Sequence, residues 1–351
     1  MQIISVTAVG GEIVFHLDAP VDAHKIRVSL FPAAVGEEGE LCSLSMTVTG
    51  ESFTLSRRLS GKDGITCRYV VTDETGEVGG KKYVEVIADA PDLPPSETCV
   101  QSVVWDVEDV PAVLADGGKH AAVFVNLSDL FMLYPEGENT LYYRMDGRDY
   151  YVRKAVAEYL DACIRPLTEV GVSVTLVLLN AREWIGRASD RFWETVAHPS
   201  DTAAEYARFD TVRESGCAYF RAFVTFLAER YRPFGMAIGC DVNGMADAPL
   251  ENFAEEYITA LRVAYQCVSS FGTRVYAAID TQFANKGERG HAGRDLLSAL
   301  AGFSLIEGDF SWGVAVRADA DTDAIDAFLK TAELMHGGDR RALLTIPADA
   351  E

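Results

Sequence analysis

Residues 150–180 have the sequence YYVRKAVAEYLDACIRPLTEVGVSVTLVLLN, and this stretch decides the fold class. Its first part carries apolar residues three and four positions apart, which is the spacing of an amphipathic helix. Its second part, residues 173–180, is a short and almost wholly apolar run, typical of a strand that is buried on both faces. A helix followed by a buried strand is the repeating unit of proteins with parallel sheets.

The same alternation extends over most of the chain. Buried strands are predicted at residues 100–107, 121–127, 173–180, 235–243, 274–281, 312–317 and 341–346. Helices are predicted at residues 152–171, 217–235, 250–272, 293–303 and 321–338. A doubly wound sheet and a (β/α)8 TIM barrel both satisfy this order. The barrel is favoured because no Gly-rich phosphate turn follows the first strand, and because polar residues recur just past the strand ends, where barrel sites are built.

The first 90 or so residues have a different pattern. Seven short strands are predicted, at residues 3–9, 12–17, 24–31, 41–48, 52–59, 65–72 and 81–88. This spacing is typical of an immunoglobulin-like or fibronectin-like sandwich. A proline-rich polar stretch at 88–98 has the composition of a linker. We therefore expect two domains, an Ig-like β-sandwich at 1–95 and a TIM-type barrel at 96–351.

The predicted barrel has one strand fewer than a complete (β/α)8 barrel. Only seven strands are visible after the linker, and the seventh lies a few residues before position 351. We expect either an eighth strand around residues 305–310 or a barrel that is incomplete at its C-terminal end and is closed by another segment.

Charge and cysteine usage exclude several classes of partner. The chain has 53 acidic and 31 basic side chains and a net charge of −22, which argues against nucleic acid and anionic membranes as partners. No long apolar run and no signal-peptide pattern is visible, so no membrane insertion is expected. The seven cysteines form no CxxC pair and no cluster with histidine, so we expect no metal and no cofactor. Unpaired spacings favour a reducing compartment such as the cytoplasm.

Candidate site residues stand at the ends of the predicted barrel strands. Asp241 ends the fourth strand, where a carboxylate would point into the barrel mouth, as acid/base chemistry on a bound sugar requires. Aromatic faces stack on sugars, and amides and carboxylates bind their hydroxyls. Further candidates for substrate contact are Asn126, Asn180, Trp184, Asn243, Gln282 and Trp312, with Asp280 as a second carboxylate.

Each candidate has a structural alternative. Asn126 and Asn180 would serve equally well as strand terminators that cap loops. Trp105 and Trp312 favour packing in the core or at its rim, since aromatic side chains are commonly buried whatever the function. Cys240, with no histidine near it in the sequence, is better explained as an inert core thiol than as a nucleophile.

Several segments carry a resemblance to a known family. They are FVNLSDLF at 124–131, the stretch 150–180 quoted above, AYFRAFVTFLAERY at 218–231, AIGCDVN at 237–243 and FAEEYITALRVAY at 253–265. Together they resemble the bacterial family catalogued as domain of unknown function 5722. That family is similar to the clan-A glycoside hydrolases and carries an Ig-like domain before a barrel. The resemblance spans about residues 99–351 and implies a carbohydrate ligand.

The resemblance also shows where this chain departs from a working hydrolase. In the wider clan an Asn-Glu pair ends the fourth strand and a second Glu ends the seventh. Here Cys240 and Asp241 stand at the pair, and Ile346 stands where the second Glu would be. The His-Pro expected after the sixth strand is absent from the sequence as well. An Asp carboxyl would lie about 1 Å further from the glycosidic oxygen, and a displacement of that size costs roughly 100-fold in rate.

These departures favour a catalytically impaired, glycan-binding protein. A retaining glycosidase needs two carboxyl groups about 5–5.5 Å apart, and the sequence offers only Asp241 at a matched position. Two alternatives stay open. In one, the protein is an active glycosidase in which Asp241 is the acid/base and Asp280 or Glu307 supplies the second carboxylate. In the other, it is a structural or interaction module whose partner is another protein.

Overall fold

The computed structural model describes residues 1–36, 39–59, 62–87, 99–240, 242–244, 248–280, 290–308, 310–318 and 343–347. The strands are β1 (Ile3–Val9), β2 (Glu12–Pro32), β3 (Cys42–Ser56), β4 (Arg58–Leu59), β5 (Lys62–Asp63), β6 (Cys67–Asp73), β7 (Gly76–Glu77), β8 (Val86–Ile87), β9 (Cys99–Val100), β10 (Ser102–Val104), β11 (His120–Asn126), β12 (Phe131–Met132), β13 (Thr140–Met145), β14 (Arg148–Arg153), β15 (Ser173–Leu179), β16 (Gly235–Ile238), β17 (Arg274–Ile279), β18 (Gly313–Ala318) and β19 (Leu343–Pro347). The helices are α1 (Val110–Ala115), α2 (Leu127–Leu130), α3 (Lys154–Glu169), α4 (Asp190–Val196), α5 (Glu214–Tyr231), α6 (Leu250–Val268) and α7 (Gly293–Glu307). The predicted linker at 88–98 and the predicted helix at 321–338 lie outside the described residues.

Most of the N-terminal strands form one bent six-stranded sheet, and β4 pairs with β5 apart from it. Its order is β7-β6-β2-β1-β8, with β3 also paired to the long strand β2. The strands predicted at 12–17 and 24–31 are the two halves of β2, and those predicted at 41–48 and 52–59 fall largely in β3. The expectation of seven short strands was therefore wrong for these four predicted strands, which form two long strands, β2 and β3. The segment DAPVDA resembles a loop, but Val21 stays paired with Gly50, and shifts of register carry the ladder through the bend.

The bent sheet encloses its own core. The Phe15 ring, from the first half of β2, stacks on Phe53 at 4.6 Å and meets the edge of the Tyr69 ring on β6 at 5.2 Å. Phe15 and Tyr69 are both fully buried. Burying side chains of this size stabilises the fold by about 1.5–3 kcal/mol each, so the two halves of the sheet are held face to face by their aromatic side chains.

After residue 98, β12, β14 and β13 form a small antiparallel sheet, and the other eight strands form a parallel sheet that closes on itself. Its order is β10-β11-β15-β16-β17-β18-β19-β9, with every pair parallel. Only Gln101 separates β9 from β10, so the segment 99–104 pairs with β19 on one side and with β11 on the other. A sheet closed in this way is a barrel, here with seven strand positions among the described residues.

All seven predicted barrel strands are present, but the expected eighth strand is not. The stretch at 305–310 was a wrong prediction, because α7 continues through Leu305 and Ile306 to Glu307. The barrel closes instead through the segment 99–104. No helix in the described ranges is both long enough and apolar enough to cross a membrane.

Alternation along the strands separates an inner from an outer core. The inner cluster consists of Ala122, Phe124, Val177, Leu179, Ala237, Tyr276, Ala278 and Ala315. The four alanines leave space for the Tyr276 ring, which lies so close to Gly235 that a Cβ there would be 2.3 Å from it. The outer core, between the strands and the helices, contains Trp312, whose exposed fraction is 4%.

The N-terminal sheet packs against the outside of the barrel. Arg262 on α6 is 1% exposed, lies 3.3 Å from a Glu307 carboxylate oxygen, and covers the Tyr83 ring at 4.2 Å. Burial raises the pKa of Tyr83 to about 12, and it also raises the pKa of Glu307. Because α7 leads from the carboxyl end of β17 to the amino end of β18, Glu307 lies at the opposite end of the barrel from the strand carboxyl ends. It is therefore unsuited to be the second catalytic carboxylate.

Candidate functional site

The end of the barrel where the strands finish, here called the mouth, carries three aromatic rings. Trp105 directly follows β10, Phe124 points inward from β11, and Trp184 lies in the loop after β15. The Trp105 and Phe124 rings stack with centroids 4.1 Å apart and planes 13° apart, while Trp184 lies 6.1 Å from Trp105 and 6.4 Å from Phe124. Trp105 is 36% exposed, and Trp184 is half-buried. We call these three residues the aromatic mouth cluster.

A buried carboxylate fixes the loop that carries Trp184. Asp129, 1% exposed, accepts the backbone N–H groups of Ile185 and Gly186, both at 3.0 Å. It also accepts a hydrogen bond from the Asn126 side chain at 3.1 Å. The backbone N–H of Trp184 donates to the Gly186 carbonyl at 3.0 Å, closing a tight turn. The Trp184 ring is thus held beside Trp105 by backbone hydrogen bonds and does not depend on packing alone.

Asn126 ties two strand ends together. Its amide nitrogen donates to Ser128, Asp129 and the Ala181 carbonyl, at 3.1, 3.1 and 3.0 Å. Its amide oxygen accepts the Ala181 N–H at 2.9 Å. Both ends of the amide are engaged and the residue is 3% exposed. The structure therefore favours the loop-capping alternative over a sugar contact for Asn126.

Asn243 has the same kind of role at the next two loops. Its amide nitrogen donates to the carbonyls of Asp280 and His291, both at 3.0 Å, and its oxygen accepts the Asp280 N–H at 2.8 Å. Asn243 is completely buried, so it fixes the backbone of Asp280 from behind. Asp280 itself is half-buried directly after β17, at the mouth.

Two of the predicted site residues, Asp241 and Gln282, lie outside the described residues. Their described neighbour Cys240 is half-buried, carries no disulfide and packs against the inner cluster at the mouth. The acid/base role of Asp241 stays a prediction. Trp312 is buried in the outer core, which favours its packing alternative over a sugar contact.

A charged cluster lies beside the mouth, formed by residues whose positions in the sequence do not reveal it. Arg208, 9% exposed, donates to Asp201 at 2.8 Å, Glu256 at 2.6 Å and His198 Nδ1 at 2.8 Å. Burial raises the pKa of Asp201, but the hydrogen bonds and charge of Arg208 outweigh it, and the pKa lies below its ordinary value. In the sequence His198 looks isolated, because its partners Asp201, Arg208 and Glu256 lie 3, 10 and 58 positions away.

The hydrogen bonds of His198 define its tautomer. Its Nδ1 accepts from Arg208 and, at 3.3 Å, from the Ser200 N–H, so the ring proton lies on Nε2, which is 3.2 Å from a Glu256 carboxylate oxygen but makes no hydrogen bond within the described residues. Both ring nitrogens therefore face groups of the cluster. This arrangement makes the ring part of the scaffold and does not present it to a substrate as a base.

Asn180 differs from the other two asparagines. Its amide nitrogen donates to the carbonyls of Val196 at 3.0 Å and Arg208 at 3.3 Å, and the residue is 4% exposed. Its amide oxygen, by contrast, has no hydrogen-bond partner in the described part of the chain. That side chain lines a small cavity between the ends of β15 and β16 and the helix α6. Across the same ranges, no group of three or more His, Cys, Asp or Glu side chains is arranged to hold a metal ion.

A closed parallel sheet with helices between its strands makes this an α/β-barrel protein. A family model described as "Family of unknown function (DUF5722)" matches residues 105–319, and the chain belongs to that family. The resemblance drawn from the sequence is thereby confirmed at the level of the family. A comparison with curated proteins found no match.

The similar solved structures are remote. A Paenibacillus sp. cycloisomaltooligosaccharide glucanotransferase shares 8% identity at a TM-score of 0.41, over 98% of this chain and 53% of that one. A Paenibacillus barengoltzii pullulanase shares 12% identity at a TM-score of 0.34, and the match covers 90% of this chain and 57% of the pullulanase. Endo-glycoceramidase II from Rhodococcus sp. shares 10% identity at a TM-score of 0.41, and the match covers 74% of this chain and 76% of the glycoceramidase. The chain spans little more than half of the first two, and likenesses this weak assign neither fold nor function.

Proposed function

We propose that this chain is a glycoside-hydrolase-like protein, with an Ig-like domain before a TIM-type barrel, that binds a glycan at the barrel mouth and has an impaired catalytic pair. The observation that supports binding is the aromatic mouth cluster. A partly exposed Trp105 stacked on a buried Phe124, with Trp184 alongside, offers flat apolar ring faces at the end of the barrel where sites are built.

The chemistry of these rings suits a sugar. The C–H faces of a pyranose pack on indole rings, and the ring edges leave the sugar hydroxyls in contact with water and nearby polar groups. The loop of Trp184 is already fixed by Asp129, so little side-chain freedom would be lost when a ligand binds. A neutral sugar would also suffer no repulsion from a chain of net charge −22.

The proposed impairment rests on the replacements at Cys240, Asp241 and Ile346 in the sequence. The structure adds that Glu307 lies at the wrong end of the barrel. It also adds that the Asp129 carboxylate, which is near the mouth, is occupied by three N–H donors. Asp280 is the remaining described candidate for a second carboxylate, and it carries the active-glycosidase alternative.

A glycan-array screen of the full chain tests the binding proposal. Trp105→Ala and Trp184→Ala should each weaken binding to the best array glycan about five- to 150-fold, on the scale of the about 1–3 kcal/mol that a nucleobase gains by stacking on one aromatic ring. Tyr142→Ala is the matched control, because Tyr142 is 70% exposed on the separate hairpin of β13 and β14. If no array glycan binds, or if the control weakens binding as much as the tryptophan variants do, the proposal fails.

Hydrolysis assays on the same glycans test the impairment. We expect no release of reducing ends by the full chain. Hydrolysis that is abolished by Asp241→Asn and by Asp280→Asn would instead establish an active glycosidase. Absence of both binding and hydrolysis would favour the interaction module.

A further inference from the structure

The strand β3 forms a long edge of the N-terminal sheet. It pairs with β2 on one side, and no other strand in the described ranges pairs with it. At the two other ends of this sheet, β7 and β8 have two residues each, whereas β3 has fifteen. The free side of an edge strand carries a row of backbone N–H and C=O groups that can pair with a further strand.

This edge lacks the features that usually protect an exposed strand from pairing. Lysines, prolines, bulges and short strands are the common forms of protection. Residues 41–50, with the sequence LCSLSMTVTG, contain no charged residue and no proline. From Cys42 to Val48 the register with β2 is also free of shifts, so no bulge turns the edge away. The edge therefore has the character of a surface that accepts another strand.

The apolar layer of the sheet continues onto β3 and ends there only partly covered. Met46 is paired with Ile26, and Leu44 with Val28, so each pair lies on one face of the sheet. Ile26 and Val28 are buried, whereas Met46 is half-buried and Leu44 is 38% exposed. A strand added along β3 would extend the backbone ladder and would also cover Leu44.

The sequence of β3 is complementary to itself in antiparallel pairing. A two-fold axis perpendicular to the sheet places each residue opposite one of the same face. With the axis at Met46, Leu44 faces Val48 and Ser45 faces Thr47; with the axis at Ser45, Leu44 faces Met46. In both registers apolar side chains meet apolar side chains, and serine and threonine hydroxyls meet hydroxyls. Cross-strand pairs of these kinds stabilise a sheet.

Charge also favours β3 as the place where two copies meet. Copies with a net charge of −22 repel each other, but neither register places Glu40 or Glu51 opposite an acidic residue. Glu40 is moreover paired with Arg27 at 3.0 Å. We infer that β3 binds β3 of a second copy of this chain, antiparallel about a two-fold axis, and joins the two N-terminal sheets into one. A contact of one strand pair is small, so the dimer is transient.

Sedimentation of the full chain between about 1 and 200 µM tests the inference, since weak interfaces assemble in this range. The average mass should rise about twofold, from one chain toward two. Leu44→Lys/Thr47→Lys should stay monomeric throughout, because lysines on an edge strand oppose pairing. Leu44 and Thr47 are both exposed, so the fold should be kept. Amide hydrogen exchange locates the contact: N–H groups of residues 42–48 that face away from β2 should exchange about tenfold slower at the higher concentration.

Ile4→Lys/Val9→Lys is the matched control, because it adds the same charge at two exposed residues of β1, a strand that is paired on both sides. This variant should still dimerise, and thermal melts of both variants show whether the fold is kept. A wild-type chain that stays monomeric at every concentration would overturn the inference. So would a folded Leu44→Lys/Thr47→Lys variant that still dimerises, or protection from exchange that lies outside β3. The inference does not rest on the proposed function, and glycan binding is unaffected by either result.

Discussion

The aromatic mouth cluster and the charged cluster around Arg208 lie on the same side of the barrel, but they are built in opposite ways. In the charged cluster, a nearly buried guanidinium pairs with two carboxylates and an imidazole. In the aromatic mouth cluster, Trp105 keeps a third of its surface exposed while its ring is already stacked. In the charged cluster, side chains of catalytic type support loops, whereas the aromatic mouth cluster offers a ligand an apolar surface.

The largest effect is expected from removing the charge at the centre of the cluster. Arg208→Met would leave Asp201 and Glu256 without their cation in a partly buried site, and breaking such a pair costs about 3–5 kcal/mol. Urea unfolding measures the loss. Arg144→Met is the control, because Arg144 is 75% exposed in its pair with Asp149 and should change stability by at most about 1 kcal/mol. Equal losses in the two variants would mean that the buried cluster does not support the fold.

The second largest loss of stability is expected from removing the Asp129 carboxylate, which fixes the loop of Trp184. Asp129→Ala would leave the Ile185 and Gly186 N–H groups without their acceptor, at a cost of roughly 3 kcal/mol in the free energy of unfolding. Because the same bonds fix Trp184, affinity for the best array glycan should also fall. Asp129→Asn keeps a carbonyl oxygen and should lose less of both. Unchanged affinity in Asp129→Ala would show that binding does not need the fixed loop.

The two clusters should respond differently to acid, because the charged cluster contains a titrating carboxylate and the aromatic mouth cluster does not. The pKa of Asp201 is lower in the folded protein than the ordinary value of about 3.9, so its contribution to stability is present above that pH and is lost as pH falls through the folded pKa. In Arg208→Met the guanidinium bonds and charge are lost, while burial, the Ser200 hydroxyl and the backbone N–H of residue 208 remain, so the pKa of Asp201 should rise and this contribution should become smaller. Unfolding measured between pH 3 and 7 tests both slopes. Affinity of the tryptophan rings for a neutral sugar should stay level from pH 5 to 8.

The smallest effect is expected from Tyr142, an exposed aromatic residue that is not part of the aromatic mouth cluster. Tyr142 meets the edge of Tyr151 across the β13–β14 pair at 5.7 Å, and such cross-strand pairs contribute about 0.2–1 kcal/mol. Tyr142→Ala should therefore lower the free energy of unfolding by less than about 1 kcal/mol in urea titrations. A larger loss would mean that this hairpin supports the barrel more than its exposure suggests.

The sequence predicted the barrel strands well because strands buried on both faces form nearly continuous apolar runs. It failed at β2 and β3, where Asp, Pro and Gly mimic a turn although long-range pairing carries the strands through the bend. For the site, Asn126, Asn180 and Asn243 looked alike as polar residues at strand ends. Only their partners distinguish them, and those partners lie on other loops. Trp105 was favoured as core or rim packing, since its exposure depends on what stacks beneath it.

The closure of the barrel has a consequence for how the chain folds. Cys99 and Val100 pair with Leu344 and Thr345, joining segments more than 240 positions apart in sequence. During synthesis the barrel cannot close until the strand β19 has emerged, and until then β18 presents an unpaired edge. Contacts of such long range are formed slowly and leave intermediates exposed to aggregation. We therefore expect refolding of this protein to be limited by the docking of β19, and the nascent chain to depend on chaperones that shield the open sheet.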